Sequence, residues 1–284
     1  MTTVDDHSTN PPLNAVTFAL LDVETTGLSP SYGHRVCEVA CLCVRDGAEV
    51  GSIESLVDPR RPISSGAFYV NQITPEMLAG APVFASIAGP LLALLEDAVL
   101  VAHNAPFDLG FLAKELAIAG CAQPTGAVVD TLALSRRLYH LSSHSLHVVA
   151  SALNVPIEPV HRAMSDVQVT RYVLEEMLWE LERRWGVTTL DQLLAFQGGS
   201  IPYPRPRDLP LPPPIAEALG RQARVHMRYV DAQGQETERV VRPLYVDEQR
   251  GYLYLVAHCY RAGALRTFRL DRVLEMAVED SDSD

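Results

Sequence analysis

The sequence predicts an α/β domain followed by a smaller all-β unit, and three features of the chain carry that expectation. Strand-like apolar runs alternate with helical ones up to residue 197, residues 198–214 read GGSIPYPRPRDLPLPPP, and the remainder is a series of short β-rich runs separated by turn residues. Proline lacks a backbone donor and fixes φ, so such a stretch behaves as a stiff, extended spacer and marks a domain boundary. At 284 residues the chain has enough material for two modest cores.

From the N-terminus, residues 1–14 are polar and acidic and are expected to form a disordered tail. The runs 17–21, 36–44 and 98–102 are expected as strands, and 107–119 and 167–185 as helices. In the second helix Val169, Val173, Met177 and Leu181 recur every four residues and form an apolar stripe, which leaves Glu175, Glu182 and Arg183 for the solvated side. Residues 15–197 are therefore assigned to the α/β domain. Beyond the spacer, 224–230, 238–246, 252–258 and 265–270 are expected as strands, with turns at 231–234, 250–251 and 262–263. Residues 215–280 make up the all-β unit and 281–284 a short acidic tail.

The apolar run 83–95 is interrupted by Gly89 and Pro90 and is too short to span a bilayer, and no signal-like segment opens the chain, so a cytoplasmic protein is expected. The five cysteines are expected as reduced thiols, with Cys41 and Cys43 on one face of a strand. A net charge of −12 argues against a nucleic acid partner, because phosphate binding draws on Lys and Arg. Two features soften that objection. Residues 205–274 hold twelve Arg against eight Asp and Glu, a local excess of four positive charges. A carboxylate site holding a divalent cation also reverses the local electrostatics.

Asp22 and Glu24 stand two apart at the end of a strand-like run, so both carboxylates leave the same face and converge on one point. Paired hard oxygen ligands of this kind suit Mg²⁺ or Mn²⁺. The segment continues Thr25-Thr26-Gly27-Leu28, and His103-Asn104-Ala105-Pro106-Phe107-Asp108 and His161-Arg162-Ala163-Met164-Ser165-Asp166 follow downstream. In order and spacing these segments resemble the three motifs of the DEDDh (DnaQ-like) exonucleases, a family that includes the proofreading epsilon subunit of bacterial DNA polymerase, RNase T and oligoribonuclease.

The resemblance covers residues 16–185 and implies a ribonuclease H-like mixed sheet. It also implies two divalent cations, Mg²⁺ or Mn²⁺, about 3.5–4 Å apart, that activate water and relieve charge on the leaving 3′-oxygen. Asp22 would bridge both ions, Glu24 and Asp166 would hold the ion that binds the attacking water, and Asp108 would support the site directly or through water. His161 would accept the water's proton, a role its ordinary pKa near 6.5 suits. His140, His144 and His147 are read as surface residues. Thr25, Thr26 and Leu28 match positions that meet the terminal nucleotide, and Asn104 and Phe107 have similar standing. The segment from Asn71 to Met77 resembles a family segment that usually begins with His and lies over the 3′ end, so Asn71 departs from the pattern.

Leu253-Tyr254-Leu255, followed by Val256-Ala257-His258 and by Arg266-Thr267-Phe268-Arg269-Leu270-Asp271-Arg272, resembles the WYL domain, a small SH3-like β-barrel. The Leu253 position departs from the Trp of the family triplet. The resemblance implies a pocket for nucleic acid or an anionic ligand, with Arg266, Arg269 and Arg272 as candidates. In a strand Arg266 and Arg269 face opposite ways, so a single patch requires the chain to bend. Together the two resemblances imply a 3′–5′ exonuclease on single-stranded nucleic acid, DNA first and RNA as the alternative, acting in repair or turnover. A reading of another class is a WYL-type ligand or nucleic-acid sensor whose exonuclease-like domain only binds strands.

Overall fold

The computed structural model describes residues 10–157, 162–205, 211–249 and 252–279. The chain divides into two compact units: the first takes in the chain up to Thr25, Val36–Pro59 and Phe68–Arg205, and the second Thr26–Arg35, Arg60–Ala67 and the chain from Pro206 onward.

The first unit is built on strands β1 (Phe18–Thr25), β2 (Val36–Arg45), β3 (Ala48–Leu56), β4 (Val99–Ala102) and β5 (Val128–Asp130). Their order is β3-β2-β1-β4-β5, with β1 antiparallel to β2 and parallel to β4. Helices are α1 (Ser65–Asn71), α2 (Phe84–Leu95), α3 (Ala105–Ile118), α4 (Thr131–Leu138), α5 (Leu146–Ala152), α6 (Ala163–Trp185) and α7 (Leu190–Gln197). This is the mixed α/β sheet expected. The hairpin partner β3 and the short β5 were not foreseen: β3 is largely exposed and polar, and β5 has three residues, so neither shows a strong apolar run.

Strand alternation splits the core into two layers. Phe18, Leu20, Ala40, Leu42 and Val101 face one side and are covered by Val169, Val173, Met177 and Leu181 of α6, the stripe read from the sequence. Ala19, Leu21, Cys41, Cys43 and Leu100 face the other and meet Leu109, Phe111, Leu112 and Leu116 of α3. Burying each such side chain contributes about 1.5–3 kcal/mol, which seats α6 and α3 on opposite faces of β1. All five cysteines are free, and Cys41 and Cys43 share one layer as expected. Among the described residues no helix is long and apolar enough to cross a membrane.

In the second unit helix α8 (Pro213–Arg221) precedes β6 (Val225–Val230), β7 (Glu236–Gln249), β8 (Tyr252–Cys259), β9 (Ala264–Arg269) and β10 (Val273–Val278). α8 begins inside the stretch expected as spacer; proline is tolerated in a first helical turn, where its missing N–H has no partner to lose. The strands form one antiparallel sheet in the order β10-β6-β7-β8-β9. The all-β expectation holds for the sheet, but the closed barrel does not: among the described residues the ladder is open, with β10 and β9 as its edges. β10 was missed because its residues are mostly exposed or half-exposed and carry little apolar alternation. The core gathers Ile215, Val225, Met227, Val241, Leu255 and Phe268, together with Tyr32 from the segment Thr26–Arg35.

Candidate active site

The site begins at the C-terminal end of β1. Asp22 and Glu24 share the face that α6 covers, because they alternate in phase with Phe18 and Leu20. Asp166 lies in the first turn of α6. One carboxylate oxygen from each of Asp22, Glu24 and Asp166 lies within 4.8 Å of the others. Asp108, in the first turn of α3, is 3% exposed and accepts the Val23 N–H at 3.2 Å. One of its oxygens is thus bound to the backbone between the two β1 carboxylates.

The crowding shows in proton affinity. Burial, then Asp108, Glu24 and Asp166, raise the Asp22 carboxyl well above its ordinary range. Burial and the charges of Asp166 and Glu38 push Glu24 up to about 8, against the opposing pull of the Asn71 hydrogen bond and Arg162. Burial likewise raises Asp108, with the Val23 N–H acting the other way. Several carboxylates held together at this cost in ionisation fit a divalent cation, whose charge offsets their repulsion and whose preference is for hard oxygen ligands.

Two contributors escaped the sequence reading. Glu38 stands opposite Glu24 in the β1–β2 register and is fully buried. Its carboxylate takes Arg162 Nε at 2.9 and 3.0 Å and the Ala163 N–H at 3.1 Å, so it caps the N-terminus of α6, where no side chain of the helix itself does so. The clue was a lone acid inside the otherwise apolar run 36–44. His147, read as a surface residue, places Nε2 3.7 Å from Asp166 Oδ1. Nothing in its local sequence marks it, since the meeting of α5 with α6 is tertiary.

His161 lies outside the described residues. Thr25 is buried, and its carbonyl accepts Asn71 Nδ2 at 3.2 Å, while Asn71 Oδ1 accepts the Ile73 N–H at 3.1 Å. Thr26 is fully buried, whereas Leu28 is 78% exposed. Asn104 is exposed in the left-handed region at φ 71°, and its N–H is held by Asp130 Oδ1 at 2.9 Å. Phe107 is half-buried against Phe111. Arg269 is engaged by Asp271 at 3.0 and 2.5 Å and lies 3.9 Å over the Tyr252 ring. Arg266, exposed, donates to the Leu265 carbonyl at 3.1 Å, and Arg272 sits in the 3₁₀ turn Leu270–Arg272.

Residues 20–174 match the RNase T exonuclease family, and residues 211–278 match the WYL domain. The first match covers more than half of the chain. The chain belongs to the RNase T exonuclease family. The acidic, metal-suited cluster of Asp22, Glu24 and Asp166 lies within the matched residues.

Among curated relatives, the PolC-type DNA polymerase III of Halalkalibacterium halodurans is 35% identical over 174 residues, 61% of this chain and 12% of that protein. The chain spans only 12–14% of the length of the first PolC-type relatives it matches. Escherichia coli exonuclease I, solved with a dT13 oligonucleotide, superposes with a TM-score of 0.54 at 17% identity, covering 85% of this chain and 55% of that one. A 3′-exonuclease that recognises a histone mRNA stem-loop gives 0.50 at 13% identity, covering 60% and 67%. At those identities the solved structures establish a shared exonuclease fold.

Proposed function

We propose that this RNase T family member is a divalent-metal-dependent 3′–5′ exonuclease that releases nucleoside monophosphates from single-stranded nucleic acid, DNA in preference to RNA. The observation that carries this reading is the convergence of Asp22, Glu24 and Asp166 to within 4.8 Å of one another, with buried Asp108 tied to the strand between the first two. These four carboxylates are the candidates to hold the cations. Divalent cations there would make water nucleophilic near neutral pH and stabilise the charge that develops on phosphate oxygens.

The remaining contributions come from the chain. Glu38, through Arg162 and the Ala163 N–H, fixes the start of α6 and hence the turn that carries Asp166. Arg162 directly follows His161, the residue we assign to accept the proton of the attacking water. Asn71 donates to the Thr25 carbonyl and lowers the proton affinity of Glu24, which supports a role for it beside the carboxylates, and it is also a proposed strand-end contact. Leu28, highly exposed, has the surface with which to pack against a terminal base. Thr25, Thr26, Asn104 and Phe107 complete the proposed strand contacts, and Arg266, Arg269 and Arg272 the proposed anion contacts of the WYL unit. DNA is preferred on the strength of the PolC-type relatives; RNA is the alternative, since the fold is shared with an enzyme of histone mRNA.

The test is incubation of the 284-residue chain with matched 5′-labelled single-stranded DNA and RNA in Mg²⁺, Mn²⁺ or EDTA, beside Asp22→Ala. A ladder shortening from the 3′ end, absent in EDTA and in the variant, is the expected result and ranks the two sugars. A wild type that binds either strand and leaves both intact in every metal refutes the reading.

A further inference from the structure

Asp166 reaches the carboxylate cluster from the first turn of α6, and its place there is set from two directions. The backbone of that turn is fixed by Glu38, through Arg162 and the Ala163 N–H. The side chain is approached from α5, where His147 Nε2 stands 3.7 Å from Asp166 Oδ1, an ion-pair distance and somewhat longer than a direct hydrogen bond. The Asp166 side chain is 14% exposed and that of His147 37%, so the pair lies between the core and the surface. All the residues concerned belong to the first compact unit.

His147 is itself held by a bracket of polar groups at the start of α5. His103 Nε2 donates to the His144 carbonyl at 2.9 Å, because a carbonyl can only accept. Burial lowers the proton affinity of His103, so its neutral ring accepts the Thr131 hydroxyl on Nδ1, also at 2.9 Å. The Ser135 hydroxyl donates to the Leu132 carbonyl at 2.9 Å and therefore accepts from His144 Nδ1 at 3.0 Å. Backbone and ring of His144 are thus both tied down, three residues before His147. Val149 and Ala150 of α5 pack in one core with Ala163 and Val167, which seats α5 against the first turns of α6. His103 opens the segment that carries Asp108, yet both nitrogens of its ring are spent on this bracket.

We propose that His147 is a positioning residue of the metal site, whose Nε2–H orients the Asp166 carboxylate so that it stays turned toward Asp22 and Glu24. A carboxylate free to rotate loses that freedom when it takes a cation; a donor on one oxygen removes the loss in advance and leaves the other oxygen to the ion. A modest rotation of either side chain brings the pair into hydrogen-bond range. His147 touches no reacting atom, and His103, Thr131 and Ser135 act one step further back by fixing where α5 begins. The proposal rests on the reading of Asp166 as a metal ligand.

The experiment uses the 284-residue chain with Mn²⁺ alone as the probe, the loss of the free-ion electron paramagnetic resonance signal giving Kd in the absence of any substrate. His147→Leu removes the donor and keeps a side chain of similar size, and His147→Gln restores a donor near the Nε2 position. The expected result is a Mn²⁺ Kd weakened about ten-fold or more in His147→Leu and within about three-fold of the wild type in His147→Gln. Both variants should unfold in EDTA within about 2 °C of the wild type, which separates positioning from a loss of fold. The Mg²⁺ concentration that gives half-maximal cleavage of 5′-labelled single-stranded DNA should rise in the same ratio as Kd. An equal Kd for the wild type and His147→Leu overturns the proposal, as does a loss that His147→Gln does not restore. If His147→Leu does not fold, His147→Asn, whose shorter side chain does not reach Asp166, takes its place with the same expected loss. A wild type that binds Mn²⁺ but leaves the oligonucleotide intact sinks the exonuclease reading only, and the Kd comparison still decides the role of His147. A wild type that binds no Mn²⁺ overturns both.

Discussion

Replacing Glu38 by Gln tests whether the start of α6 is held by a buried charge. The Glu38 side chain is fully buried, and its ion pair partner Arg162 has a third of its side chain exposed. Breaking a fully buried ion pair by removing one partner costs about 3–5 kcal/mol. Solvent reaches Arg162, and Gln still offers one acceptor, so the loss reduces to the difference between charge-assisted and neutral hydrogen bonds, about 1–2 kcal/mol, plus the cost of an amide N–H turned toward a guanidinium. Removing the charge also relieves the repulsion that Glu38 exerts on Asp22 and Glu24, which offsets part of that loss without metal. The net expectation is about 2 kcal/mol of lost stability, a fall in Tm of about 4–8 °C for a unit of this size. Thermal unfolding in EDTA at neutral pH measures it. Because the offset disappears when cations neutralise the site, the deficit should be larger in Mg²⁺. A variant as stable as the wild type in both buffers would refute the assignment of Glu38 as the anchor of α6.

Three further outcomes are expected. Asp22→Asn should lower kcat by about a thousand-fold or more, yet unfold at a higher temperature than the wild type in EDTA, since one buried like charge is gone; single-turnover rates and calorimetry read the two effects separately. In metal-free buffer stability should fall as pH rises from about 4.5 to about 8, because the Glu24 proton is bound more tightly in the folded than in the unfolded state, and saturating Mg²⁺ should flatten that slope; Tm measured against pH with EDTA or Mg²⁺ checks the sign. Gly27→Ala should cost about 1–3 kcal/mol through the clash with the buried His34 ring, seen as faster hydrogen exchange in 26–35 with the exchange of β1 unchanged.

The carboxylates were legible because their pattern is local. Asp22 and Glu24 share a face in any strand, Asp108 and Asp166 open helices, and each lies in a recognisable segment. The stripe on α6 was legible for the same reason, since a period near four residues is a property of the helix alone. Glu38 and His147 were not, because their meaning depends on cross-strand register and on the approach of α5 to α6, which no spacing encodes. β10 and the open ladder of the second sheet were lost where strands are polar and exposed, leaving too little apolar alternation to register.

By itself, then, the sequence determined the mixed-sheet class and singled out the acidic set, since backbone periodicity and short motifs are set by neighbours along the chain. Only the tertiary structure decided that Glu38 bridges β2 to α6. It also decided that Asp108 spends an oxygen on the Val23 N–H and that Thr26–Arg35 packs with the WYL-matching sheet. The physical reason is common to all three. Each is a pairing of groups remote in sequence, formed because burial left a charge, a backbone donor or an aromatic ring in need of a partner that only the folded chain could bring to it.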